Sequence, residues 1–268
     1  MTLKKIKKED YDFFDNIERY IINGERIEDT IHIDELSTDC NSFYDYWERT
    51  SSNKEIAKNI CNKLVGLYKK LKEGNINYSK ENNYMKDFAF LNYWTNWKIY
   101  NELYGSTSVS NFYDLIGSHV ELDSPLEFVN DYIYDFDKND LYKMNILYSL
   151  YAKYSKLNAV IESKLVLDKE AFLSLSNECC TDYNKTNYIC NDNNNTSIFC
   201  KKLNDFMLKY GELYSNIDKK KPEFSDYFKS LSSCGNTKII STAVTGTFLG
   251  LIPLFGVLYK VSELNILL

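Results

Sequence analysis

The seven cysteines are the side chains of this 268-residue sequence best suited to form covalent or metal bonds. They are Cys40, Cys61, Cys179, Cys180, Cys190, Cys200 and Cys234. Structural zinc sites usually present two cysteines separated by two residues, whereas the spacings from Cys179 onward are adjacent, then ten, then ten. Disulfides that clamp the Asn-rich stretch 179–200 fit this spacing better, and they require an oxidising compartment.

Other states of the cysteines stay open at this point. Seven is an odd number, so at least one thiol is left over or pairs outside the chain. All seven side chains can also be reduced and buried, because a free cysteine behaves as a small hydrophobic residue.

Residues suited to catalysis are scarce. The chain holds two histidines, His32 and His119, and neither lies beside a nucleophile motif. No phosphate-binding glycine loop, H-E-x-x-H or G-x-S-x-G pattern is present. The sequence therefore predicts that the protein is not an enzyme and needs no cofactor or metal. The formal net charge of −6, without a basic stripe, gives no reason to expect nucleic-acid binding.

The most apolar segment lies near the C-terminus. Residues 239–258 read IISTAVTGTFLGLIPLFGVL and carry no charge. A helix of this length spans the roughly 30 Å hydrocarbon core of a bilayer. Its polar residues are spread around the helix and form no solvent-facing side. This favours a single transmembrane helix in a lipid bilayer over a fully buried core helix. Residues 259–268 are then a short tail.

The predicted transmembrane helix also carries a pattern for self-association. Thr242, Gly246 and Gly250 recur every four residues on one helix face. Small residues in this arrangement allow two helices to approach closely. These three residues are a candidate helix-dimer face. One predicted partner is therefore a second copy of the chain, bound through this helix as a homodimer.

Residues 1–238 have the composition of a folded domain that is rich in helix. Hydrophobic residues make up 44% of the chain and charged residues 26%, with 10 Gly and 3 Pro. Few helix breakers favour helices over a strand-and-turn architecture. We therefore predict an all-α, helical bundle-like soluble domain over residues 1–238, followed by the C-terminal transmembrane helix.

Individual helices follow from apolar residues at helical spacing. Three such stripes are Ile56, Ile60, Leu64, Leu67, Tyr68 and Leu71; Leu141, Met144, Tyr148, Tyr151, Tyr154 and Leu157; and Leu203, Phe206, Tyr210, Leu213 and Ile217. Ser52 and Glu55 fit a capping box before the first stripe, with Gly74 just past its end. Ser124 followed by Pro125 predicts a further helix start.

Two segments are less regular. Residues 87–104 are the most aromatic, and large aromatic side chains at this spacing favour a central core helix over an aromatic platform for a ligand. Residues 179–200 are rich in Asn and Asp, which favour turns, so we predict a Cys-rich loop there. At least one disulfide is expected to involve it.

Several segments together resemble the Plasmodium interspersed repeat (PIR) superfamily, most closely its vivax-type (VIR) members. The family shows an LNYW-like segment, matched by residues 88–94, FAFLNYW, and a later helix like residues 141–151, LYKMNILYSLY. A late cysteine precedes the membrane anchor, as Cys234 does. A Tyr-Lys-containing stretch follows the anchor, matched loosely by residues 258–262. The resemblance covers most of the chain.

Two departures from the family pattern concern the cysteines and the tail. The cysteine that usually precedes the LNYW segment is absent, and Asp87-Phe88 stands where it might be. This departure puts the family's disulfide pairing in doubt. The chain also ends ten residues after the span, without a longer cytoplasmic tail.

The resemblance implies a variant antigen of a malaria parasite, exported into the infected red cell and in some cases to its surface. Such proteins are implicated in adhesion to host proteins or receptors and in immune evasion, and the family brings no catalytic residues. The loops expected to vary are residues 105–110 and 181–196, because they are polar and poor in helix formers.

A competing hypothesis comes from the sequence alone. The N-terminus shows no apolar run of the kind that a secretory signal needs, and the predicted span lies close to the C-terminus. These features are typical of a tail-anchored membrane tether or adaptor, whose helical domain faces the cytosol with reduced cysteines. The charges that flank the span do not decide its orientation.

Overall fold

The computed structural model describes residues 10–29, 40–50, 53–75, 77–120, 133–187, 189–190 and 197–236. Within these ranges the chain forms eight α-helices, four short 3-10 helices and no β-strand. The predicted all-α fold is therefore confirmed. The chain divides into two compact units, residues 1–145 and 146–268. The sequence predicted a single domain over residues 1–238.

The first unit contains five complete α-helices and the beginning of a sixth. The helices are α1 (Ile17–Asp29), α2 (Asn41–Thr50), α3 (Lys54–Lys72), α4 (Tyr84–Glu102), α5 (Val109–His119) and α6 (Lys138–Ile161). One 3-10 helix, Asp12–Asn16, precedes α1, and another, Tyr78–Lys80, lies between α3 and α4. Helix α6 crosses the boundary between the two units.

Helix α4 forms the centre of the first unit, as the core interpretation of residues 87–104 predicted. It packs against α3, α5 and the first 3-10 helix, and most of its side chains are buried. Phe13 of that 3-10 helix lies with its ring centroid 5.6 Å from Phe90 and 5.5 Å from Tyr93. Aromatic pairs at such distances add to the free energy that burial alone supplies.

Helix α3 begins at Lys54, and one half of the predicted capping box can be followed there. Asn53 is its N-cap residue and makes no hydrogen bond from its side chain to the helix, while Ser52 lies outside the described residues. Glu55 instead accepts a hydrogen bond from the Tyr44 hydroxyl at 2.8 Å, so its carboxylate is engaged by α2. At the other end, Gly74 follows the helix with a φ of 71°, as its position in the sequence predicted.

Residues 133–137 lie along α4 without forming a helix. The side chain of Asn92 accepts a hydrogen bond from the Tyr134 amide at 3.2 Å. Asn96 donates to the Tyr134 carbonyl and accepts from the Phe136 amide, both at 3.0 Å. These two buried amides satisfy main-chain groups that a helix would otherwise satisfy internally. The helix start predicted at Ser124 falls in residues 121–132, outside the described ranges.

The second unit is built from the rest of α6, α7 (Lys169–Asn187) and α8 (Ile198–Lys220). Ser176 of α7 is hydrogen-bonded to Tyr210 of α8, and Tyr183 donates to the Met207 sulfur. Because the residue number rises along α7 as it falls along α8, the two helices are antiparallel. Two 3-10 helices, Pro222–Tyr227 and Leu231–Asn236, follow α8. The predicted stripe of α8 is buried throughout, at Leu203, Phe206, Tyr210, Leu213 and Ile217. Of the predicted stripe of α6, Leu141, Met144, Tyr151 and Leu157 are buried, whereas Tyr148 and Tyr154 are half-buried.

The prediction of a loop over residues 179–200 was wrong at both ends. Helix α7 continues to Asn187 and α8 begins at Ile198. Asp182 is held by buried Lys153, and the hydroxyl of Thr186 donates to the Tyr183 carbonyl. These contacts stabilise helix in a segment whose composition disfavours it, since tertiary packing overrides intrinsic propensity. Residues 181–187, expected to vary as a loop, are therefore helical.

No helix within the described ranges combines the length and the apolar character needed to cross a bilayer. The predicted transmembrane helix 239–258, its candidate dimer face at Thr242, Gly246 and Gly250, and the tail 259–268 all lie outside those ranges.

Candidate functional site

Six of the seven cysteines are paired in three disulfides. Cys40 at the start of α2 pairs with Cys61 of α3, Cys180 of α7 pairs with Cys234, and Cys190 pairs with Cys200 of α8. The Cα–Cα separations are 6.1, 5.2 and 5.7 Å, within the usual range for a disulfide. The expectation of disulfides that involve the 179–200 stretch is thus confirmed, and Cys179 keeps its thiol.

Residues 222–236 form a strap that lies along one face of α7. Phe172 meets Phe224 with ring centroids 4.9 Å apart, and Ser176 accepts a hydrogen bond from the Lys229 amide at 2.8 Å. Further along α7, Cys180 is bonded to Cys234, and Asn184 donates to the Cys234 carbonyl at 2.9 Å. These four α7 residues are spaced four apart, which places them on one helix face. The strap therefore runs parallel to α7.

Cys179 is buried beside the residues that hold the strap. Burial raises the pKa of its thiol to about 12. Tyr210 lies in the same cluster, where its hydroxyl is 3.2 Å from Ser176 Oγ and donates to the Lys229 carbonyl at 3.1 Å. A thiol with so high a pKa carries almost no thiolate near neutral pH, so Cys179 is not suited to nucleophilic chemistry.

A buried ion pair joins α6 to α7. Lys153, 3% exposed, lies against Asp182, which also accepts from Ser149 at 2.9 Å and from Lys185 at 2.9 Å. Burial raises the pKa of Asp182, but the two ammonium groups outweigh it and hold that pKa below its ordinary value. Because the carboxylate has several donors, this pair satisfies the main condition for a stable buried charge.

A second buried carboxylate, Asp87, lies in the first unit at the start of α4. Its two oxygens accept hydrogen bonds from the hydroxyls of Tyr20 and Tyr78, each at 2.8 Å. The guanidinium Nε of Arg19 lies 3.7 Å away. Burial raises the pKa of Asp87 above its ordinary value despite these partners. Burial and the nearby carboxylate also raise the pKa values of both tyrosines, so their hydroxyls remain donors.

Four charged side chains link α1, α3 and α4. Lys98, 4% exposed, lies 2.8 Å from Glu28 and 2.7 Å from Glu102, and Lys63 lies 2.6 Å from Glu28. Burial raises the pKa of Glu28, but Lys98 and Lys63 outweigh it and lower that pKa overall. The arrangement pairs each buried charge with an opposite one, which is the pattern of a structural network.

The surface of the first unit exposes a row of aromatic side chains at the end of α4. We call Trp97, Tyr100 and Tyr104 the aromatic ridge. Tyr100 is 42% exposed and Tyr104 is 74% exposed, while Trp97 is half-buried. Trp97 and Tyr100 are three residues apart, which places them on one side of the helix, and Tyr104 lies in the turn that ends α4. Phe88, Phe90, Tyr93 and Trp94 of α4 are buried, whereas Tyr84 at its start is half-buried.

The histidines do not assemble a catalytic or metal site in the described part of the chain. His119 stacks on Tyr46 with ring centroids 4.7 Å apart, and Ser42 Oγ lies 3.4 Å from its Nδ1. His32 is outside the described ranges. Among the residues that the structure describes, no three His, Cys, Asp or Glu side chains are grouped to hold a metal ion.

Sequence reasoning identified the cysteines but missed the buried charges. Asp87 attracted notice only as a residue where the resembled family has cysteine. Lys98, Lys153 and Asp182 stand among many exposed Lys and Asp residues, and nothing in their spacing marks them as buried. The spacing of Trp97 and Tyr100 was visible, yet only the structure separates the buried rings of α4 from the exposed ones.

Comparison with models of known protein families, with curated proteins and with solved structures finds no match to this chain.

Proposed function

We propose that this protein is a membrane-anchored variant surface antigen of a malaria parasite, exported to the infected red cell, and that it acts by binding a host protein or receptor. The membrane anchor is the apolar segment 239–258, and the helical units before it carry the binding surface. The resemblance to the PIR superfamily supports the variant-antigen role.

The observation that carries the proposal is the pairing of six cysteines in three disulfides. Structural disulfides form and persist in oxidising compartments and are rare in the cytosol. This favours a helical domain that faces an oxidising space over a tail-anchored adaptor that faces the cytosol. The three bonds tie α2 to α3, α7 to the strap, and the α7–α8 connection to α8, so they stabilise both units.

The segments that carry the family resemblance also support the proposal. Residues 88–94 lie in α4 and residues 141–151 lie in α6, and both stretches are mostly buried. A family of variant antigens must keep its core residues while its surface changes, so resemblance is expected at such positions.

The cysteines of protein taken from its native membrane test the oxidation state. Thiols are blocked by alkylation before reduction, and peptides are then mapped by mass spectrometry. We expect the three native pairs, with Cys179 alkylated only after unfolding. Six thiols alkylated without prior reduction would favour the tail-anchored adaptor.

Surface display is tested separately on intact infected red cells. External protease or antibodies against the helical units should reach the protein without permeabilisation. Protection from both reagents would contradict display at the cell surface and favour an internal membrane of the host cell.

A further inference from the structure

We propose that the aromatic ridge and the adjoining residues 133–137 bind an arginine- or lysine-rich segment of a partner protein. This inference rests on the proposed binding function and adds the chemistry of the partner. Four observations on the first unit support it: the exposure of the rings, the backbone of Tyr104, an ammonium group already on one ring, and the carboxylates of residues 133–137.

Two rings of the ridge contact each other. Trp97 and Tyr100 are stacked with centroids 6.4 Å apart, and Tyr104 lies in the turn that ends α4. On the neighbouring segment, Tyr134 and Phe136 lie 5.1 Å apart and are half-buried. Tyrosine and tryptophan are the residue types most enriched at the centres of protein interfaces, because they offer large rigid surfaces at low entropic cost.

Tyr104 adopts a backbone conformation that tyrosine disfavours. Its φ is 53°, and the Gly105 amide bonds back to the Ile99 carbonyl at 3.1 Å in a helix-ending turn. Glycine is the usual residue at this left-handed position, and a residue with a side chain is disfavoured there. The Tyr104 side chain is 74% exposed, so its packing does little to offset that cost. Strain without compensation in the fold points to a role outside it.

The surface already holds one cation of the chain itself. Lys138 Nζ lies 5.7 Å from the centroid of the Tyr100 ring. Ammonium and guanidinium groups are attracted to the negative faces of such rings. The geometry therefore shows which ligand chemistry the ridge accommodates.

In residues 133–137, two carboxylates, Asp135 and Asp137, alternate in sequence with the rings of Tyr134 and Phe136. Asn92 and Asn96 hold the main chain of this segment, which leaves Asp135 and Asp137 exposed at its surface. Asp135 accepts from the Val109 amide at 2.6 Å and Asp137 from the Asn139 amide at 2.8 Å, so both side chains are fixed. A segment that carries both carboxylates and aromatic rings is complementary to an arginine-rich chain, since guanidinium groups pair with acids and stack on rings.

Fluorescence anisotropy with labelled octa-arginine and octa-glutamate peptides on the purified full chain in detergent tests the inference. We expect octa-arginine to bind and octa-glutamate not to bind. The double variant Tyr100→Gln with Tyr104→Gly should weaken octa-arginine binding about tenfold, the product of two exposed cation–ring contacts. The same variant should be no less stable to urea, because glycine relieves the strain at residue 104.

Removal of the internal cation should have the opposite effect. Lys138→Gln should tighten octa-arginine binding about threefold, because the Tyr100 ring is vacated. The matched control is Lys169→Gln, since Lys169 lies 5.3 Å from the Tyr227 ring in the second unit. Tyr214→Gln on α8 controls for loss of an exposed tyrosine elsewhere.

Equal binding by the parent and the double variant would overturn the inference. Equal effects of Lys138→Gln and Lys169→Gln would also overturn it, because the binding would then follow net charge alone. Neither result bears on surface display, which is measured on intact cells. Conversely, absence of display with ridge-dependent peptide binding would overturn the proposed function and leave the ridge assignment in place.

Discussion

The two buried aspartates show how the identity of the partners decides the charge state of a carboxyl group. Asp182 faces the ammonium groups of Lys153 and Lys185, which outweigh burial and lower its pKa. Asp87 faces two neutral tyrosine hydroxyls and a guanidinium at 3.7 Å, which do not outweigh burial, so its pKa is raised. Hydrogen bonds from neutral donors thus satisfy the geometry of a carboxylate without compensating its full desolvation.

Asp87→Asn tests this assignment through pH. A carboxyl group whose folded pKa is raised contributes stability that is fully present below its unfolded pKa of about 3.9 and is lost as pH rises through the folded value. The free energy of unfolding of the parent minus that of the variant should therefore fall between about pH 4 and pH 7. Urea denaturation of the full chain in detergent measures it. The Glu28→Gln comparison should show the opposite slope at lower pH. The pKa of Glu28 is lowered, so the stability that it contributes is present above its unfolded pKa of about 4.3 and is lost as pH falls below that value. A rising difference for Asp87 would contradict the assignment.

Asp182→Asn should be among the most destabilising single changes in the second unit. It leaves Lys153, 3% exposed, without its charged partner, which costs about 3–5 kcal/mol. Lys185→Gln is the matched control, because Lys185 is 40% exposed and its pair with Asp182 is screened by water. We expect that control to change the free energy of unfolding by about 1 kcal/mol or less. Similar losses for both variants, measured by urea denaturation, would show that the buried pair has no special role.

At the scale of elements, the strap completes the packing of α7 and α8. Its rings Phe224 and Phe228 cover Phe172, and Phe228 also stacks on Tyr210 with centroids 4.8 Å apart. Neither short 3-10 helix can be stable alone, since isolated helices of a few residues are marginal in water. The apolar contacts and the Cys180–Cys234 bond hold the strap in place, five residues before the apolar segment that begins at residue 239.

Removal of the Cys180–Cys234 disulfide should loosen the strap more than removal of the Cys190–Cys200 disulfide. The Cys180→Ser, Cys234→Ser double variant opens a loop with a sequence separation of 54, worth about 4 kcal/mol by chain entropy. The Cys190→Ser, Cys200→Ser variant opens one of 10, worth about 3 kcal/mol. Proteolysis after Lys221 or Lys229 should therefore accelerate in the first variant and stay near the parent rate in the second. Equal cleavage would show that the apolar contacts alone hold the strap.

The sequence predicted those elements whose apolar residues repeat at helical spacing. The stripes of α3, α6 and α8 and the buried half of α4 were all visible, because burial itself imposes that spacing. The C-terminal half of α7 was missed, since its Asn, Asp and Thr residues favour turns and only tertiary partners such as Lys153 reverse that preference. The strap was missed because the contacts that hold it in place come from α7, including Cys180, and α7 is distant from the strap in sequence.

At the scale of the whole molecule, both units have packed aromatic rings and buried ion pairs, and they differ in the number of their disulfides. The first has a core of packed aromatic rings, a buried charge network around Lys98, and one disulfide over a separation of 21. The second has two disulfides over separations of 54 and 10. By chain entropy, the bonds of the second unit contribute roughly twice the stabilisation of the single bond in the first.

Reduction should therefore affect the second unit more. Hydrogen exchange of the full chain in detergent, with and without dithiothreitol, should show a larger increase in α7 and α8 than in α3 and α4. The reason is that the aromatic core around α4 persists when Cys40–Cys61 is opened, whereas the strap loses its covalent attachment to α7. A Cys40→Ala, Cys61→Ala variant separates the two contributions, because its remaining response to reductant must come from the second unit. Reduction of the parent could instead increase hydrogen exchange equally in α3 and α4 and in α7 and α8. The disulfides would then stabilise the chain as one cooperative whole. The division at Asn145 would then have no counterpart in stability.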